Sequence, residues 1–121
     1  MIVIELLSLE CIDAATTPFG SEYDVALVTN NVSRKGPFSM DEGEEIDLSQ
    51  TFNGGIEPNT PNTRWKFNLE KETAAFTGDT ETTTVWRADY ENDSNFLQTK
   101  RTLHFNNEGD YALSYRFVDL P

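Results

Sequence analysis

Asp89-Tyr90-Glu91-Asn92-Asp93 places side-chain oxygens at alternate positions of one short stretch. Hard cations such as calcium take several carboxylate and carbonyl oxygens at once, so this run is a candidate metal loop. A second set of acids, Asp13, Glu22 and Asp24, brackets the turn-forming stretch Thr16-Thr17-Pro18-Phe19-Gly20. Carboxylates crowded without compensation repel one another, and a divalent cation relieves the repulsion. The third acidic feature is the run Asp41-Glu42-Gly43-Glu44-Glu45-Ile46-Asp47. Its natural complement is a basic surface on a partner protein, because opposed charge speeds association and makes it salt-sensitive. Trp86 precedes the 89–93 stretch and Tyr90 lies within it, so both are candidate contacts to a protein, carbohydrate or lipid partner.

Catalytic chemistry finds little to work with. His104 is the only histidine, and alternation sets it with Lys100 and Thr102 opposite Leu103 and Phe105, on a solvent-facing side. A triad needs a nucleophile and an orienting group within its reach. No Gly-x-Ser-x-Gly elbow, phosphate loop or His-rich metal spacing is present. Cys11 lies close to Glu10 and Asp13, which raise a thiol's pKa rather than activate it, so it reads as a small buried hydrophobe. With 21 acids in 121 residues, carboxylate pairs at glycosidase spacing arise by chance. The chain reads as non-catalytic.

The 21 acids outweigh 9 Lys and Arg, for a formal charge of −12. That balance excludes nucleic-acid binding, which depends on neutralising phosphates. An anionic membrane would repel the surface unless a cation bridged the two. One cysteine makes no intramolecular disulfide and no Cys-rich zinc or iron–sulfur site. Residues 1–60 carry 11 acids and 2 bases, against 10 acids and 7 bases in residues 61–121. Such asymmetry points to a cationic partner or a bound metal. The length is that of one domain. The opening Met1-Ile2-Val3-Ile4-Glu5-Leu6-Leu7 has no basic lead, and Glu5 interrupts its apolar run. It reads as neither signal peptide nor membrane span, so the expectation is a soluble chain, cytosolic or freed of a leader.

The elements that must position these residues are strands. Trp65, Phe67 and Leu69 alternate with Lys66 and Asn68, and Tyr111, Leu113, Tyr115 and Phe117 alternate through the last element. Period two with aromatic and β-branched enrichment is the half-buried strand pattern. Further strands are expected at 2–11, 23–29, 44–52, 82–88 and 100–106, with a short extra one at 38–40. The first, apolar on both faces, suits a central or bulged strand. Gly, Pro and Asn mark the turns between them, including Asn53-Gly54-Gly55 and the stretch from Pro58 to Asn62. Seven or eight short strands in this length predict an all-β, two-sheet antiparallel sandwich of a single domain, 1–121. If successive strands run antiparallel, the loops 13–22, 53–62 and 89–97 share one end, an order that the extra strand at 38–40 would reverse after it. Edge strands paired in trans, as in a subunit of a larger assembly, are a further expectation.

Leu9-Glu10-Cys11-Ile12-Asp13 followed by Phe19-Gly20-Ser21-Glu22-Tyr23-Asp24-Val25 resembles the first loop and second strand of C-two domains. Val85-Trp86-Arg87-Ala88-Asp89-Tyr90-Glu91-Asn92-Asp93 is similar to their strand ending in a Trp and acidic third loop, and Gly109 to Tyr115 to a closing strand. The resemblance implies a calcium-dependent sandwich with Asp13, Asp24, Asp89, Glu91 and Asp93 as ligands. The expected function is a non-catalytic binding module, calcium-completed at the loops of one end. The alternative is an acidic inhibitor or immunity-type protein, docking through Asp41, Glu42, Glu44 and Glu45.

Overall fold

The computed structural model describes residues 1–49, 55–59 and 63–121. Eight strands follow in chain order: β1 (Ile2–Asp13), β2 (Asp24–Thr29), β3 (Ser33–Phe38), β4 (Glu45–Asp47), β5 (Arg64–Glu72), β6 (Glu81–Trp86), β7 (Arg101–Phe105) and β8 (Asp110–Asp119). They form two antiparallel sheets, ordered β4-β1-β8-β7 and β3-β2-β5-β6. The expected two-sheet sandwich is the observed fold. Among the described residues no helix is long and apolar enough to cross a membrane.

Alternation decides which side chains meet. Trp65, Phe67 and Leu69 of β5 are fully buried, as are Leu113 and Phe117 of β8 opposite them. Phe117 is the hub of an aromatic cluster, with ring centroids 5.5 Å from Trp65, 5.4 Å from Tyr90 and 4.8 Å from Phe96. The Trp65 indole N–H donates to the Ile56 carbonyl at 2.8 Å, so this buried ring leaves no polar atom unpaired. β1 carries the expected irregularity twice, between Leu6 and Ser8 and between Cys11 and Asp13.

Two expectations about strands need correction. The extra strand lies at Ser33–Phe38, not at 38–40, and Met40 is instead buried beyond its end. Ser33-Arg34-Lys35-Gly36-Pro37 has no apolar alternation to betray it. Gly36 is required there: at φ 106° its Cα faces β2 so closely that a Cβ would stand 2.9 Å from the Val25 carbonyl oxygen. The acidic strand expected over 44–52 is only three residues long within the described chain. Its continuation at Gln50, Thr51 and Phe52, and the turn residues Asn53, Gly54, Thr60, Pro61 and Asn62, lie outside the described residues.

Candidate functional site: an acidic end

β3 reverses the direction of everything after it. Asp13 ends β1 opposite Asp110, and Asp24 opens β2 opposite Glu72, the last residue of β5. Trp86 ends β6 opposite Arg64, the first residue of β5. The Arg87 N–H bonds the Thr63 carbonyl at 2.8 Å, which holds the 87–93 stretch at that same end. Eight residues of β5 separate the two levels, about 27 Å at the rise of a strand. Asp13 and Asp24 therefore sit at one end of the sandwich, and Asp89, Glu91 and Asp93 at the other. The loops 13–22 and 89–97 do not share an end, and these five acids do not form one site.

Two of the three acids at 89–93, Glu91 and Asp93, are also compensated. The Arg87 guanidinium pairs with Glu91 at 3.0 Å, a contact one helical turn apart on a 3-10 start. Arg101 approaches Asp93 at 3.9 Å while its guanidinium lies 4.7 Å from the Tyr90 ring centroid. Tyr90 is half-buried between Arg101 and Phe117, so it serves the core more than the surface. Trp86 is 41% exposed on the outer face of its sheet, with the Arg64 guanidinium 5.5 Å from its ring centroid.

At the opposite end the register unites what the sequence kept apart. The Cys11 N–H bonds the Glu44 carbonyl at 2.8 Å, and the Gly43 N–H bonds the Cys11 carbonyl at 2.7 Å. The 41–45 run is thereby laid against the end of β1, beside the β1–β2 loop. Glu22 reports the result: its carboxyl is raised above the ordinary value, first by a hydrogen bond shared with Asp41, and further by the charges of Asp41, Glu42 and Glu44. The buried Cys11 thiol beneath is pushed up to about 11, by burial first and then by Glu22. Asp13, Glu22, Asp41, Glu42, Glu44 and Glu45 take part in no ion pair found among the described residues. No group of three or more His, Cys, Asp or Glu side chains among the described residues is arranged to hold a metal ion.

A loop closed by its own hydrogen bonds projects from this end. The Thr17 hydroxyl accepts from the N–H groups of Phe19 and Ser21, at 3.3 and 3.2 Å, and the Thr17 N–H bonds the Ser21 carbonyl at 2.7 Å. Tyr111 anchors its base, its hydroxyl accepting the Ala15 N–H at 3.0 Å. Phe19 stands at the tip, 82% exposed, its ring 5.5 Å from that of Phe76 in the β5–β6 loop. Turn chemistry around Pro18 and Gly20 locates this loop in the sequence, but the meeting with Phe76 has no local signal.

Compared with family models, with curated proteins and with solved structures, the chain matches none.

Proposed function

We propose that the protein is a non-catalytic binding module whose acid-rich end receives the basic surface of a partner protein. The observation that supports this reading is the convergence of Asp13, Glu22, Asp41, Glu42 and Glu44, none of which is ion-paired among the described residues. Carboxylates held together at a cost in self-repulsion are stabilised when lysines or arginines arrive opposite them. Phe19 adds an exposed apolar anchor on the loop at this end, and a few such residues carry most of an interface's affinity. Glu91 and Asp93, at the other end, are set apart from this role because Arg87 and Arg101 of the same chain pair with them.

A photo-crosslinking side chain placed at position 19, and separately at position 86, tests the reading in the cells that make the protein. The expected result is a protein adduct from position 19 that disappears when Glu42→Lys and Glu44→Lys are introduced together. Adducts from position 86 alone, or an adduct indifferent to the charge reversal, would overturn it. A chelator-reversible rise in melting temperature with millimolar calcium would assign this end to a metal ion instead.

A further inference from the structure

Arg101 opens β7 opposite Tyr115, and its side chain is only 17% exposed. Its guanidinium lies 4.7 Å from the ring centroid of Tyr90 and 5.7 Å from that of Phe117, which settles the charge among aromatic rings. Nε and Nη2 are buried, and neither has a hydrogen-bond partner among the described residues. The N–H groups of these two nitrogens share one edge of the guanidinium, the fork that grips both oxygens of a carboxylate. A buried donor left unmet costs free energy in the folded state, and more so when it is charged.

The chain's own nearest carboxylate falls short of that edge. Asp93 Oδ2 stands 3.9 Å from Nη2, beyond hydrogen-bond range, and its side chain is 52% exposed. Its backbone is held on both sides: the Asp93 N–H bonds the Tyr90 carbonyl at 2.9 Å, and the Asp93 carbonyl accepts the Phe96 N–H at 3.2 Å. So short a side chain does not advance while those turns stand. Further along, Gln98 holds φ 65°, a left-handed conformation uncommon for its type, and its N–H bonds the Phe117 carbonyl at 2.9 Å. Backbone strain of this kind clusters where proteins hold ligands.

We propose that the Arg101 fork binds the carboxylate of a small organic acid, which takes the place of Asp93. The ligand's two oxygens accept from Nε and Nη2 together, and the Asp93 side chain turns out into solvent, where it is already half exposed. The aromatic rings around the guanidinium favour an acid with an apolar body. Asp93 is then a competitor for the fork, a role unlike that of a structural ion pair. The site lies at the end of the sandwich opposite Glu22 and Asp41, so it is independent of the docking surface proposed there and stands if that reading fails.

An NMR titration of the full chain, read at the Arg101 Nε–H signal, tests this with phenylacetate and with phenylacetamide as its uncharged counterpart. Phenylacetate is expected to shift that signal saturably, and phenylacetamide to leave it in place. Asp93→Asn is expected to tighten phenylacetate binding several-fold, because it removes the internal competitor at an exposed position. Arg101→Lys keeps the charge but loses the fork, and is expected to weaken binding by about tenfold or more, read at neighbouring signals. Should Arg101→Lys fail to fold, the amide and the Asp93→Asn comparison decide the matter by themselves. A purely structural pair predicts a lower melting temperature for Asp93→Asn with no gain in affinity, and that result overturns the proposal. So does an equal response to acid and amide, or an Arg101 signal that phenylacetate leaves unmoved in both the wild type and Asp93→Asn.

Discussion

Glu22 is the clearest single gauge of the acidic end. Its carboxyl shares a hydrogen bond with Asp41 and faces Glu42 and Glu44, so the folded chain holds its proton more tightly than the ordinary value of 4.5. A folded-state value raised in this way gives stability that is fully present below the unfolded value and lost as pH rises through the folded one. At neutral pH Glu22 is therefore a liability to folding. Glu22→Gln is expected to raise the melting temperature at neutral pH and to leave it nearly unchanged below about pH 4, where Glu22 is protonated in both states. Melting curves across that range check both halves. The compensation of Glu91 was open to reading in the sequence, since Arg87 stands four residues before it. That of Asp93 was not, because Arg101 arrives from the start of β7.

Strand β5 extends its inward alternation one step beyond Leu69, to Lys71, whose side chain is fully buried. The ammonium donates to Glu81 of β6 at 2.5 Å and to the Asp79 carbonyl at 3.1 Å. The other Glu81 oxygen accepts the Asn107 N–H at 2.6 Å, so one carboxylate ties β5, β6 and the β7–β8 loop together. Removing one member of a buried pair strands the other charge, which costs about 3–5 kcal/mol. Lys71→Met is expected to lose stability on that scale in denaturant unfolding. Adding Glu81→Leu to it is expected to recover most of the loss, because an apolar pair leaves no charge stranded. Period two continued along β5 assigns Lys71 to the buried face from sequence alone. Its partner could not be read, since a lysine that far inside is tolerated only where a separate strand supplies the carboxylate.

Across the molecule as a whole, the core is sealed by phenols as well as hydrocarbons. Burial pushes the Tyr111 hydroxyl from its ordinary value of 10.0 up to about 12, although the Ala15 N–H bond pulls it back slightly. Burial and the neighbouring Tyr90 also drive Tyr115 upward. Folded phenols thus keep protons that the unfolded chain gives up. Their contribution is intact below pH 10.0, the unfolded value, and is lost as pH climbs from there through the folded value. For Tyr111 the loss is on the order of 2 kcal/mol. Melting temperature is expected to begin falling near pH 9.0, the unfolded value of the Cys11 thiol, and to fall more steeply above pH 10.0, and Tyr111→Phe is expected to make that alkaline fall shallower.

Alternation alone sufficed for the all-β class, the inward set of Trp65, Phe67, Leu69, Tyr111, Leu113, Tyr115 and Phe117, and the outward placement of His104. Side-chain parity along a strand is a local property, carried by neighbouring residues. Which loops share an end is a property of the whole chain, and one extra strand inverts it. β3 hides in a polar Gly-Pro stretch with no apolar alternation, and its extent was decided only by pairing with β2. With it in place, Asp13 and Glu22 join the 41–45 run, and Glu91 and Asp93 turn to the chain's own arginines. The charge of −12 was visible from composition. Its concentration at one end, with Phe19 at the tip, exists only in the folded molecule.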